Sequence, residues 1–312
     1  MTESNHVPES TSREPLSVWE LPRLLESVHT YRQQPVKTPK DRPHFPAIIA
    51  FVYRNRFAVA SQIQRRFSQF LPSARTARRH LQEMETLKYI DTVPGPSPLW
   101  PKTYFVTRRG TRTLQDAFTA KGKAWTPTLI DRSRGNGFST NHVLHELFIT
   151  ELLLTQWENV QRRDDLELLT VERRSLVRHP AFRITMAGRP TRLVPDAMLL
   201  LRYAGKGMMC WFVEMDMGTM NEQQWHRKCR RYESWSRSEQ GQHWLTELYA
   251  CHGAKNPRPL FRILIVANDE HRKTKLMELG SEWMLDPRNR WLFTSVGDLS
   301  NPGTDLASCF RS

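Results

Sequence analysis

The chain has 312 residues, enough for two domains of ordinary size, and its hydrophobic (39%) and aromatic (10%) content is sufficient to bury a core, which excludes global disorder. Its net charge is +14 and its pI about 10.0, so a polyanion, above all nucleic acid, is the expected partner. No apolar run approaches the roughly 20 residues of a membrane span: the best, Leu147 to Trp157, is interrupted by Glu151.

MTESNHVPES lacks the basic and apolar regions of a secretory signal, and Cys210, Cys229, Cys251 and Cys309 form no CxxC pair, so a reducing, cytoplasmic setting without a membrane partner is expected. The basic charge is concentrated. Between Asp41 and Gln115 there are 13 Lys/Arg against 4 Asp/Glu.

Residues 1–40 are rich in Pro, Ser, Thr and charge and read as a flexible arm. Helical spacing begins at Phe45 in "FPAIIAFVYRNRF" and continues in "VASQIQRRF", where Val59, Ile63 and Phe67 recur every fourth residue. A third helix, "SARTARRHLQEMETLKYI", has Ser73 as its expected cap, an apolar face of Ala77, Leu81, Met84 and Leu87, and Arg75, Arg78, Arg79 and Lys88 mostly off that face. "YIDTV" and "KTYFVT" then read as strands around the turn "PGPSPLWP", before a helix in "RRGTRTLQDAF".

Residues 119–140 carry Gly, Pro and Ser without periodicity and read as a linker, followed by a second domain over 141–300 and a tail over 301–312. That domain opens with an amphipathic helix, "NHVLHELFITELLLTQWE", capped by Asn141 or Thr140. Next come a strand in "LELLTVERRSLV", an apolar hairpin from Val194 to Thr219, a helix in "NEQQWHRKCRRYESWS", a strand in "FRILIVAND", a helix in "EHRKTKLMELGSEWM" and a strand in "RWLFTSV". The expected order is αβββαβαβ. Trp225, Cys229, Tyr232 and Trp235 follow helical spacing and read as a core-facing stripe.

The hairpin raises the functional question, because its otherwise buried strands carry Asp196, Glu214 and Asp216. Residues 214 and 216 share one face of a strand, where two carboxylates and a third could hold one cation. Whether Asp196 joins them depends on register. A two-residue loop at Gly205 and Lys206 sets Asp196 opposite Met215, whereas a bulge or a loop of three or five residues sets it opposite Glu214 or Asp216. An irregularity is therefore expected between Ala204 and Gly207.

The helix–helix–helix–strand–wing–strand order of residues 41–118 resembles a winged helix-turn-helix domain, which implies duplex DNA read by the third helix through Arg75, Arg78 and Arg79, assisted by Arg65, Arg66 and Lys102. The second domain resembles the restriction-endonuclease-like, or PD-(D/E)XK, fold, giving an α/β (α+β) class overall: Pro195-Asp196 matches the "PD" and Glu214-Met215-Asp216 the "(D/E)-x-K". That resemblance implies Mg²⁺ or Mn²⁺ held by Asp196 and Glu214, with Asp216 a further ligand. Asp216 stands where the family has Lys; Lys228 on the next helix is the replacement it implies, and Glu146 the first-helix acid that completes the site.

Together, the winged helix, "NHVLHEL", "PDAMLLL", "WFVEMDMGT" and "KCRRYESW" resemble the replication-relaxation family of plasmid and mobile-element proteins over residues 45–295. The implied role is recognition, and nicking or relaxation, of an origin in replication or conjugative transfer, with double-stranded DNA as partner and a homodimer as a candidate assembly. The alternative is a non-catalytic initiator or transcriptional regulator with a degenerate nuclease domain, which the missing in-place Lys favours. Other chemistries are poorly supported: "HVLHE" is neither HExxH nor HxxEH, so His142 and His145 read as surface or packing residues, and no P-loop is present.

Overall fold

A computed structural model describes residues 42, 44–120, 139–173, 179–255, 260–284 and 290–299, with the backbone alone for 282–284 and 299. The expected arm over 1–40, the tail over 301–312 and nearly all of the expected linker lie outside the described residues.

The N-terminal unit begins with α1 (Phe45–Asn55), whose Pro46 sits in the first turn, where a missing N–H leaves no bond unmade. Its Phe45, Ile48, Ile49 and Val52 are buried against the rest of the unit. After β1 (Ala58–Val59) come α2 (Ala60–Arg66) and α3 (Ala74–Thr86). Ser73 caps α3, its hydroxyl accepting from the Thr76 amide at 3.1 Å. Ala77, Leu81 and Met84 are buried, while Arg75, Arg78 and Arg79 are exposed. β2 (Ile90–Val93) and β3 (Thr103–Val106) flank the expected turn, and with β1 form an antiparallel sheet of order β1-β3-β2. α4 (Arg108–Thr119) follows, capped by Thr107. Its Gly110 approaches β2 so closely that an added Cβ would lie 2.1 Å from the Tyr89 carbonyl oxygen.

The second unit opens with α5 (Thr140–Gln161). Its cap is Ser139, not Asn141 or Thr140: the Ser139 hydroxyl accepts from the His142 amide at 3.2 Å, so both expected caps already lie inside the first turn. β4 (Leu166–Glu172) leads, past a 3₁₀ turn at Pro180–Phe182, to a two-stranded hairpin of β5 (Arg183–Met186) and β6 (Arg189–Arg192). Ala187 and Gly188 both have positive φ in its turn, as a two-residue turn matched to strand twist requires. β7 (Ala197–Tyr203) and β8 (Gly207–Asp216) are the central hairpin. α6 (Glu222–Arg237), α7 (Glu239–Cys251), β9 (Phe261–Ala267), α8 (Glu270–Met284), β10 (Trp291–Ser295) and the short α9 (Val296–Leu299) complete the unit.

The chain is thus a mixed α/β protein of α+β type. Its main sheet has order β10-β9-β8-β7-β4, with β10, β9 and β8 parallel and β7 and β4 antiparallel to their neighbours. Alternation along β8 feeds two cores. Cys210 and Phe212 pack toward α6 and α7 with Trp225, Cys229, Tyr232 and Trp235, while Trp211, Val213 and Met215 pack toward α5 with Ile149, Leu152 and Leu153. The expected order lacked the β5–β6 hairpin and α7. The hairpin's second strand, Arg-Pro-Thr-Arg, offers no apolar alternation, and α7 follows α6 with only Ser238 between.

The two units share an interior. Phe57 and Phe105 of the first pack on Val143 and Leu147 of α5. Arg65 is ion-paired with Glu151 and with Glu158 (2.7 Å), and Arg66 lies 4.3 Å from the ring of Trp157. Burial opposes the charge on Arg65, yet its hydrogen bonds to Glu158 and Glu151 hold its pKa above the ordinary value. Both arginines, expected beside DNA, contact α5. No helix among the described residues is long and apolar enough to cross a membrane.

Candidate functional site

The β7–β8 loop contains three residues, Ala204, Gly205 and Lys206, and Ala197 pairs with Val213. Asp196, one residue before β7, therefore stands opposite Glu214; its amide donates to the Val213 carbonyl at 3.0 Å. Positive φ at Gly205 (72°) and Gly207 (94°) closes this loop.

Glu214 is 1% exposed. Two residues along β8 from Phe212, it faces α6, where Lys228 and Tyr232 lie one turn apart and both reach it. Lys228 Nζ donates to Oε2 at 2.5 Å and the Tyr232 hydroxyl to Oε1 at 2.7 Å. Burial pushes the Glu214 carboxyl up to about 7; the Asp196 charge adds to the rise and Lys228 opposes it. Lys228 is affected in the same coupled way: burial disfavours its charge, but Glu214 and Asp196 hold its pKa above the usual lysine value.

Asp196 bridges the end of the sheet. Its Oδ2 accepts from the Met215 amide at 2.8 Å and lies 3.3 Å from Nε2 of His145 on α5. Burial alone would raise its pKa. The hydrogen bond with His145 and the charge of Lys228 prevail and hold it down at about 2. Burial likewise would lower the pKa of His145, but Asp196 raises it. Two facing carboxylates are thus driven apart in acidity, a pattern that separates an acid from a base where chemistry is done.

Asp216 shares the face of Glu214 but is bound elsewhere: Arg272 Nε of α8 donates to its Oδ2 at 2.5 Å and the Gly218 amide to its Oδ1 at 3.2 Å. Glu146 is held by Arg173 Nη2 at 2.5 Å and by Arg56 Nη1 at 2.7 Å. Burial would raise its pKa, but those two guanidinium charges lower it. Arg173 also donates to the backbone and side-chain oxygens of Asn55, both at 3.2 Å, so Glu146 joins α1 to α5.

Both oxygens of Glu214 and both of Asp216 are occupied by protein donors, and among the described residues no three Asp, Glu, His or Cys side chains converge as ligands. Metal ligation by Glu214 would require its bonds to Lys228 and Tyr232 to be exchanged for the ion.

The structure brings Asp196, Glu214 and Lys228 together, sets Asp216 beside Arg272, and places Glu146 in the inter-unit ion pair. On the first unit Arg75, Arg78 and Arg79 form no ion pair among the described residues; Lys102 pairs with Glu85 at 2.7 Å while remaining 55% exposed. A groove between α2, α3 and β3 is lined by Ser61, Arg78, Gln82, Glu85, Lys102 and Tyr104. Sequence reasoning set His145 aside as a surface or packing residue, saw Tyr232 only as core, and omitted Arg173 and Arg272. The available signal was charge balance, since each carboxylate in an apolar strand requires a cationic or hydrogen-bonding partner.

Fold and site define a mixed α/β protein in which a buried carboxylate–lysine cluster at a sheet end is joined to a helical unit with an exposed arginine face. The sequence matches the replication-relaxation family over residues 49–246, from within α1 to within α7, and the chain belongs to that family. Membership points to a role in replication or relaxation of mobile elements. No curated protein and no solved structure matches the chain.

Proposed function

We propose that this protein recognises an origin on a plasmid or other bacterial mobile element, reading duplex DNA with an N-terminal winged helix-turn-helix unit that carries a PD-(D/E)XK-like second domain. The carrying observation is the exposed face of α3. Arg75, Arg78 and Arg79 project from a capped helix, without acidic partners among the described residues, beside a wing that carries Lys102. A helix of this kind fits the major groove, where Arg donates to guanine edges and phosphates. The test is anisotropy of the full chain with an origin-bearing duplex over a salt series. Three phosphate contacts contribute about 0.9 each to the log–log salt slope, so Arg75→Ala/Arg78→Ala/Arg79→Ala lowers it by roughly 2 to 3. Unchanged affinity and slope refute the assignment of α3.

A sharper reading, metal-dependent nicking during replication or conjugative transfer, is supported by the pairing of Asp196 with Glu214 beside Lys228. It requires Glu214 to exchange its bonds to Lys228 and Tyr232 for an ion. Supercoiled origin plasmid incubated with Mg²⁺ or Mn²⁺ then yields relaxed circles, and Asp196→Ala abolishes them while sparing duplex binding. Wild-type protein that binds the plasmid and leaves it supercoiled supports the non-catalytic initiator instead.

A further inference from the structure

The exposed stripe of α3 is not uniformly cationic. Arg75, Arg78, Arg79 and Gln82 follow i, i+3, i+4 and i+7 spacing, and all four are exposed. The two acids of the helix are already neutralised: Glu83 accepts from Arg42 Nε at 3.1 Å and Glu85 from Lys102 Nζ at 2.7 Å. Gln82 stands beside them, and its side-chain amide has no hydrogen-bond partner among the described residues. Arg78 and Gln82, one helical turn apart, line the same groove between α2, α3 and β3, which Ser61, Glu85 and Lys102 also line.

The side chains of this face differ in what they can distinguish. Arg and Lys only donate, so they bond phosphates and guanine, whose major-groove edge offers two acceptors; they do not match the donor and acceptor that adenine presents together. The Ser61 hydroxyl makes a single bond that either purine satisfies, and Glu85 is held by Lys102. Among the described residues that line the groove, Gln82 carries the only side-chain amide, a donor and an acceptor side by side. We propose that Gln82 is the sequence-reading residue of α3. Its amide oxygen accepts from N6 of one adenine in the major groove, and its amide nitrogen donates to N7 of the same base. This rests on the DNA-binding reading above. The arginines hold the duplex, and Gln82 identifies one A·T pair within it.

The test uses the full chain and a fluorescent duplex library randomised over about two helical turns, from which bound sequences are recovered and titrated singly. Wild type retains an adenine at one position, and replacing that A·T pair weakens binding about 5- to 150-fold. Gln82→Ala binds the original and the replaced duplex equally and keeps the preferences at other positions. Its salt slope matches wild type, because no phosphate contact is lost. Gln82→Glu, which accepts from cytosine N4, prefers cytosine at that position. If Gln82 only supports α3, both variants weaken all sequences alike, and that result overturns the proposal. An Ala variant with wild-type preference at every position, or one that loses preference at a pair other than A·T, overturns it too. Wild type that binds duplex over the salt series without selecting any sequence refutes base reading by Gln82 and leaves DNA binding standing. Wild type that binds no duplex defeats the DNA-binding reading itself.

Discussion

Two groups of cations in this molecule are treated in opposite ways. On α3, Arg75, Arg78 and Arg79 stand in solvent without acidic partners among the described residues. At the end of the main sheet, Lys228, Arg272, Arg173 and His145 are each matched to a carboxylate in or beside an apolar core. The first arrangement costs the fold almost nothing and leaves charge available to an external anion. The second costs desolvation, which is offset only while every partner remains in place. Where charge is left over, the chain is poised for binding; where it is balanced, the chain is holding itself together.

The largest expected effect breaks that balance. Glu146→Ala leaves the 5% exposed Arg173 without its carboxylate, and removing one partner of a buried pair costs about 3 to 5 kcal/mol. Urea unfolding measures it, and a cost below about 1 kcal/mol would show that water or another acceptor replaces Glu146.

The next effect is pH dependence. Glu214, raised to about 7, binds its proton more tightly in the fold than in the unfolded chain. Its contribution is fully present below the unfolded carboxylate pKa near 4.5 and is lost as pH rises through about 7. His145, also raised, acts in the same direction over a higher range. Asp196, depressed to about 2, contributes above its unfolded value near 4 and loses that contribution only in stronger acid. The Glu214 contribution therefore falls between about pH 5 and pH 8, by on the order of 2 kcal/mol, while His44, which burial lowers to about 4, acts in the opposite direction below about pH 6.5. Denaturation of the wild type and of Glu214→Gln across that range isolates the Glu214 part as the difference between their slopes; equal slopes assign the dependence elsewhere.

The smallest effect sharpens the contrast. Single changes of Arg75, Arg78 or Arg79 to Ala shift unfolding by no more than about 0.5 kcal/mol, as expected for exposed residues outside any ion pair among the described residues. A cost near that of Glu146→Ala would place α3's arginines among the structural charges.

Periodicity made most of this fold legible. The helices from α1 to α4, the core stripe of α6 and the Ser73 cap all follow from local spacing. The three-residue β7–β8 loop is one of the alternatives that set Asp196 opposite Glu214, and the carboxylates were conspicuous because they interrupt apolar strands. Their partners were harder to read. Arg272 reaches Asp216 across 56 residues, and His145 reaches Asp196 from another element, contacts that no local pattern encodes. Arg65 and Arg66 show the converse: as charges on a surface-like helix they suggested solvent or phosphate, and their contacts with Glu151, Trp157 and Glu158 come only with the arrival of α5.

Arg56, at the C-terminus of α1, has a positive φ of 63°, an unfavourable conformation for a side chain of its size, and from there it bonds Glu146, the neighbour of His145. Arg54 reaches the Val171 carbonyl of β4 from the same turn, and Asn55 receives Arg173. These bonds turn the two halves of the chain into a ruler. The offset between α3 and Asp196 is fixed by packed side chains, whereas a connecting segment alone would let it vary with the square root of its length. Lengthening the chain between Thr119 and Thr140 would leave that offset where it is, and cutting the Arg56–Glu146 bond would remove one of the several side-chain contacts that hold it.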